Sequence, residues 1–335
     1  MSTSRSKVFL IYLIVIFITL FIRVGFAFNT SLGETEADVV FTVCVQIVTF
    51  GIIPFTLYSL FVSKSALGTF KDFGFVKKVS WKNWLITLAL ALLTTFVATF
   101  VSVFWHTVLN LIGFNYSSSD TDYSSVGVLF LQILTVAILP AVFEETTHRG
   151  LLFAAFKGNR ENNGVFIVLI TALLFALMHQ NIRQTGYTFF DGVIMGLVCY
   201  YTGSIYPTIV MHFLNNFFSV MEGYAADNGG YIFAFVNRAY DFLLSNVIGL
   251  VVFVVLVIAA AIGIYFLLKL MKKLTADERE KSEMQITSDD IYSDNFVAVP
   301  ALKKGFDKKT DVYLVIVTLL GAFATLFTLI WGFLR

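Results

Sequence analysis

Two carboxylates, an imidazole and a guanidinium fall within six residues of an otherwise apolar stretch, Ile138-Leu139-Pro140-Ala141-Val142-Phe143-Glu144-Glu145-Thr146-Thr147-His148-Arg149-Gly150. Residues four apart share a helix face, so Glu145 and Arg149 can pair and neutralise each other. Glu144 points about 100° away from that pair and lacks the partner. A carboxylate held so among apolar neighbours suits general base or acid work. The same spacing recurs twice downstream. Phe175 and His179 share one face, and His212 and Asn216 share another. A lone histidine on an apolar helix is usually a satisfied structural group, but three such faces on successive helices would each carry an unpaired buried cost if they did nothing.

The elements that must position these residues are membrane helices. The chain has 335 residues, 58% of them apolar and 13% charged, with a mean hydropathy of +0.82. Soluble domains average about 45–50% apolar and about 25% charged, so an ordinary cytosolic globule is excluded. A net charge of +1 gives no basis for nucleic-acid binding. Cys44 and Cys199 both lie in apolar runs, which excludes a disulfide framework and a thiolate metal site. A span needs about 20 apolar residues. Nine segments fit: 8–28, 39–63, 84–112, 123–143 continuing to about 157, 164–182, 187–204, 207–222, 243–268 and 312–334. The expected fold is an all-α polytopic transmembrane bundle of about eight to nine spans. Residues 8–28 are read as a retained helix, the alternative being a signal peptide. An ionisable group at the bilayer centre costs about 2.5–3.5 kcal/mol even on insertion scales, and these groups cluster between residues 144 and 216.

Lysine and arginine placement predicts orientation. Nine spans with a cytoplasmic N-terminus put 18 of the 23 Lys and Arg on the inside, in 1–7, 64–82, 157–163 and 269–311. The outer loops then carry Glu34, Glu36, Asp38, Asp120, Asp122, Glu222, Asp227 and Asp241. The expected location is a multi-pass plasma-membrane protein. The chain divides into N-terminal spans (1–122) with a basic interfacial segment at 64–82, a central core (123–222), and C-terminal spans (223–335) with a cytoplasmic loop at 269–311. Residues 64–82 read as an interfacial helix or hairpin, or as a basic loop with aromatic anchors. Residues 274–310 read as a mobile linker. Asp191, near the start of its span, reads as interfacial, and His106 as a bystander. Straight-helix counting puts Glu144 roughly 25 Å in from the outer face and His179 about 20 Å in from the inner face, so a tilt, a kink near Pro140 or a shifted boundary is expected.

The ordered set Glu144-Glu145-x-x-x-Arg149, Phe175-x-x-x-His179 and His212-x-x-x-Asn216 resembles the three motifs of the CAAX prenyl protease and bacteriocin-processing (CPBP, or Abi) family of intramembrane proteases. It covers roughly residues 125–222. His148 departs from the family pattern. The resemblance implies an endopeptidase acting on a membrane-associated, prenylated or leader-type peptide. In it Glu144 activates water, His179 positions or shares the proton, His212 and Asn216 stabilise the oxyanion, and Glu145 with Arg149 supports Glu144. Such chemistry needs a positioned base and preorganised donors. The implied partners are a peptide or protein substrate and the bilayer, with no cofactor. The alternative is a zinc enzyme using Glu144, His179 and His212, although no His-Glu-x-x-His helix is present. Glu145-x-x-His148 matches half of a di-iron site and lacks its second half. A non-enzymatic transporter or immunity-type protein would use the polar stripe differently, but no broken helices recur in corresponding halves.

Overall fold

A computed structural model describes residues 2–27, 39–40, 42–114, 125–156, 160–229, 231–289 and 308–334. Among them lie eleven helices and no strand. These are α1 Ser2–Ala27, α2 Cys44–Ser63, α3 Ala66–Asp72, α4 Trp81–Leu111, α5 Val126–Ala155, α6 Arg160–Met178, α7 Ile182–Thr202, α8 Tyr206–Asn228, α9 Tyr231–Leu244, α10 Val247–Asp289 and α11 Lys308–Leu334. The chain is a helical membrane bundle. Six of the helices are long and apolar enough to cross a membrane: α1, α2, α4, α5, α10 and α11. The remaining expected spans are α6, whose apolar part is only Gly164–Met178, and α7 and α8. α6 falls short in length, whereas α7 and α8, which carry Asp191, His212 and Asn216, fall short in apolarity.

The polar helices sit centrally, with α6 against α7, α4 against α7, α8 and α10, and α5 between α8 and α2. Small residues permit the approach. A side chain at Gly192 would stand 3.0 Å from Ala172 of α6, and one at Gly196 would stand 3.2 Å from Val168, which is the small-residue packing that membrane helices use. α1 is integrated into the core, with Val8, Phe9, Ile11, Tyr12, Val15 and Ile16 buried.

The 64–82 segment forms one short helix, α3, whose start is capped by Ser65 accepting from the Gly68 amide. An extended link follows, with Phe73 buried and Trp81 exposed. The linker expected at 274–310 begins later than the sequence suggested, because α10 continues to Asp289. Its Lys, Leu, Met, Ala, Glu and Arg are strong helix formers. Asn83 Nδ2 also donates to Thr275 Oγ1 at 3.1 Å and Arg279 Nη2 to the Tyr201 carbonyl at 2.9 Å, tying the extension down. Residues 290–307, the acidic residues Glu34, Glu36, Asp38, Asp120 and Asp122, and Lys157 lie outside the described residues.

These contacts gather the lysines at one end of the bundle. Lys82 opens α4 beside Asn83, Lys272 lies 5.8 Å over the Tyr201 ring at the end of α7, and Lys7 donates to the Phe61 carbonyl near the end of α2 at 3.0 Å. The opposite ends of α4 and α7 meet elsewhere, where Trp105 Nε1 donates to the Ile182 carbonyl at 2.6 Å.

Candidate functional site

Two prolines prepare the site by freeing helix carbonyls. Proline lacks the amide that would bond the carbonyl four residues back. Pro140 in α5 therefore leaves the Val136 carbonyl without that donor, and Asn216 Nδ2 of α8 supplies one at 2.8 Å. Pro54 in α2 does the same for the Phe50 carbonyl, which accepts from Thr147 Oγ1 of α5 at 2.7 Å. Polar side chains from neighbours thus restore what the prolines removed, as helices buried in a membrane require. α5 also contains wide turns at Ile133–Ile138 and Thr146–Leu151, flanking Leu139–Glu145. Such π-type turns concentrate at functional sites.

Glu144 is buried, at 6% exposure. Gln46 Nε2 of α2 donates to its Oε1 at 2.7 Å. Its Oε2 meets no hydrogen-bond partner among the described residues. One carboxylate oxygen is therefore fixed and the other is left over. His148, fully buried, donates from Nδ1 to the Glu144 backbone carbonyl at 2.8 Å. On its other side Tyr12 Oη lies 3.1 Å from Nε2 and 3.1 Å from the Leu174 carbonyl. This departure from the family pattern is a prop behind Glu144.

The Phe175 ring is the common wall of the site. Its centroid is 5.0 Å from His148, 5.0 Å from His179 and 5.8 Å from His212, each approached edge to face. The Arg149 guanidinium lies 4.5 Å over the same ring. His179, just past the end of α6, donates from Nδ1 to the Phe175 carbonyl at 2.9 Å, which fixes the neutral tautomer with a lone pair on Nε2. Glu145 Oε1 accepts from Arg149 Nη1 at 2.6 Å and from His212 Nδ1 at 3.1 Å. Arg149 Nη2 goes on to the Gly192 carbonyl at 3.2 Å. The expected Glu145–Arg149 pair is present, and it also orients His212.

The structure thus brings His148, Arg149, His179 and His212 around one ring, with Glu144 bound from behind by Gln46. Asn216 is one helical turn beyond His212 and spends one amide hydrogen on Val136. Among the described residues no three His, Cys, Asp or Glu side chains are grouped so as to hold a metal ion. Glu144, His179 and His212, the donors of the zinc alternative, are not so grouped. Asp191, expected at the interface, is buried at 4% exposure and accepts from Asn215 Nδ2 at 2.8 Å. The apolar run suggested a span from 187, whereas the Asn181 cap starts α7 at Ile182 and places Asp191 well inside it. Gln46 and Tyr12 escaped the sequence reading, although a glutamine in the apolar 39–63 run carries the signal of a buried polar group asking for a partner.

Residues 126–218 match the family model for type II CAAX prenyl endopeptidases, described as Rce1-like. The matched residues carry all three of the motifs that resemble the CPBP family. Among curated proteins, the membrane-embedded CAAX protease MroQ of Staphylococcus aureus (strain USA300) is 33% identical over 93 residues, 27% of this chain and 38% of MroQ. The chain therefore spans well under half the length of that relative. No solved structure matches. The matched segment contains Glu144, Glu145, Arg149, Phe175, His179, His212 and Asn216, while Gln46 reaches Glu144 and Tyr12 reaches His148 from helices outside it.

Proposed function

We propose that the protein is an intramembrane endopeptidase that hydrolyses a peptide bond with water activated by Glu144. The observation that carries this reading is the asymmetric Glu144 carboxylate, Oε1 held by Gln46 and Oε2 without a partner. Oε2 takes a proton from water as the oxygen attacks the scissile carbonyl carbon, and His179 Nε2 accepts a second hydrogen bond from that water. The oxyanion is met by the remaining Nδ2 hydrogen of Asn216 and by His212. His212 can donate from Nε2 only as an imidazolium, with the Glu145 carboxylate on its Nδ1 balancing the charge. Collapse of the intermediate breaks the C–N bond, and the leaving amine takes the proton held by Glu144.

The substrate is a membrane-associated peptide or protein, and the location is the plasma membrane with the lysine-rich end of the bundle in the cytoplasm. Enriching new protein N-termini from membranes of cells expressing the wild-type chain or Glu144→Gln tests the activity. Termini present only with the wild type are expected, and identical sets would remove the endopeptidase reading. With a substrate so found, activity is expected to survive prolonged chelation, and Asn216→Ala is expected to lower kcat by about 10²–10³-fold, as for other oxyanion donors. Activity lost on chelation and restored by added zinc, with Asn216→Ala nearly silent, would establish the zinc alternative.

Orientation has its own measurement. In a chain with Cys44 and Cys199 replaced by alanine, Asp227→Cys is expected to react with an impermeant thiol reagent in intact cells, and Lys78→Cys and Lys272→Cys only in inverted vesicles. Labelling of both lysine positions from outside reverses the topology.

A further inference from the structure

Between α4, α7 and α8 lies a half-open chamber of about 420 Å³ that belongs to none of the motifs except through Asn216. Of its fourteen described lining residues, only Ala98 and Val103 lack a polar side chain. Four are carboxamides, Asn181, Gln184, Asn215 and Asn216, and hydroxyls such as those of Ser102 and Ser219 stand among them. The chamber starts beside Asn216, one turn from His212, and follows α8 past Ser219 to Glu222, about 15 Å beyond His212 at 1.5 Å per residue. A second cavity of about 170 Å³ shares His106 and Arg183 with it and continues to Asn110 and Phe114 at the end of α4.

The path runs away from the lysines. α4 lines it with Thr95 to His106, the half remote from Lys82, and α7 with its first residues, remote from Tyr201, where Lys272 and Arg279 rest. The chamber therefore lies in the lysine-poor half of the bundle, which the positive-inside rule makes the exterior half, and it meets the proposed catalytic groups at Asn216. The lining also selects chemistry. A carboxamide offers both donors and an acceptor, the complement of an extended peptide whose own amides and carbonyls lack helical partners. A prenyl or acyl chain in the same space would bury the carboxamide atoms not already bonded to Asp191, Val136 or the Arg183 amide, at about 1–3 kcal/mol for each one left without a partner.

We propose that this chamber is the substrate seat, and that it takes an unlipidated, extended polar peptide segment entering from the exterior, not a lipidated cytoplasmic tail. The proposal rests on the endopeptidase reading for what happens next, but the seat itself is measurable without turnover. In the Cys44→Ala, Cys199→Ala, Glu144→Gln chain, Ser102→Cys and Ser219→Cys are made singly and treated with a membrane-impermeant trimethylammonium thiosulfonate. Both are expected to react in intact cells. Short unlipidated peptides of Ser, Asn, Gln and Gly are then added, and the same peptides carrying a farnesyl group are added in parallel. The unlipidated set is expected to slow modification by about tenfold at about ten times its dissociation constant, following 1 + [L]/Kd. Reaction only in inverted vesicles overturns the exterior entry. Protection only by the farnesylated set, or by neither, overturns the polar-peptide seat. If Glu144 proves irrelevant to cleavage while this labelling pattern holds, the endopeptidase reading fails and the chamber stands as a peptide-binding site.

Discussion

Glu144→Gln is expected to accumulate in the membrane like the wild-type chain and to lose about 10²–10⁴-fold in turnover, the span that a positioned general base contributes. The geometry separates the two halves of that expectation. A glutamine at this position keeps a carbonyl-type oxygen where Oε1 stands, so Gln46 Nε2 can still donate to it and α2 remains tied to α5. What it loses is the basic oxygen that has no protein partner. Gln46→Leu makes the converse change, leaving the base present but its carboxylate unanchored. It is expected to lower kcat more than it raises KM, and to lower it less than Glu144→Gln does, because misorientation costs only part of what the base supplies. Both are measured on a substrate identified by its Glu144-dependent N-terminus. Near-normal turnover by purified Glu144→Gln would falsify the glutamate mechanism.

How much of this was readable in advance depended on whether the deciding partner lay nearby in the chain. The Glu145–Arg149 pair was legible because i and i+4 meet on any helix, and it is present at 2.6 Å. The gathering of His179 and His212 was legible only as three polar faces in search of a reason, and the Phe175 ring supplies the shared wall. Gln46 was not legible, because its partner is 98 residues away and a single polar residue in an apolar run does not say which helix it faces. Asn216 was legible as a polar residue and misleading as to its bond. Its contact with Val136 follows from Pro140 on another helix, a cause that no local pattern around 216 contains. The extension of α10 to Asp289 was missed because helical propensity in a charged segment reads as solvated linker until Asn83 and the Tyr201 carbonyl anchor it. Asp191 lies further into its helix than the apolar run indicated, because the Asn181 cap starts that helix at Ile182.

The buried ion pair should dominate stability. Arg149 is 2% exposed and Glu145 is fully buried, so removing either leaves a charge uncompensated in the bundle, for which about 3–5 kcal/mol of destabilisation is typical. The two losses are not equivalent. Arg149→Ala leaves Glu145 with His212 Nδ1, whereas Glu145→Ala strips both Arg149 and His212 of their carboxylate and leaves Arg149, among the described residues, the Gly192 carbonyl and the Phe175 face. Glu145→Ala is therefore expected to be the worse of the two in thermal unfolding of the detergent-solubilised protein. Arg149→Lys should not rescue, because a single ammonium cannot reach Glu145 and Gly192 in parallel while lying flat on a ring. Removing both charges with shape retained, as in Glu145→Leu with Arg149→Met, should recover much of the stability, since the cost of each single change is the orphaned partner. That double variant should nevertheless stay inactive, because His212 then has no carboxylate to orient it or balance its charge. Additive losses in the double variant would mean that the pair contributes through packing alone, and retained activity there would detach Glu145 from His212.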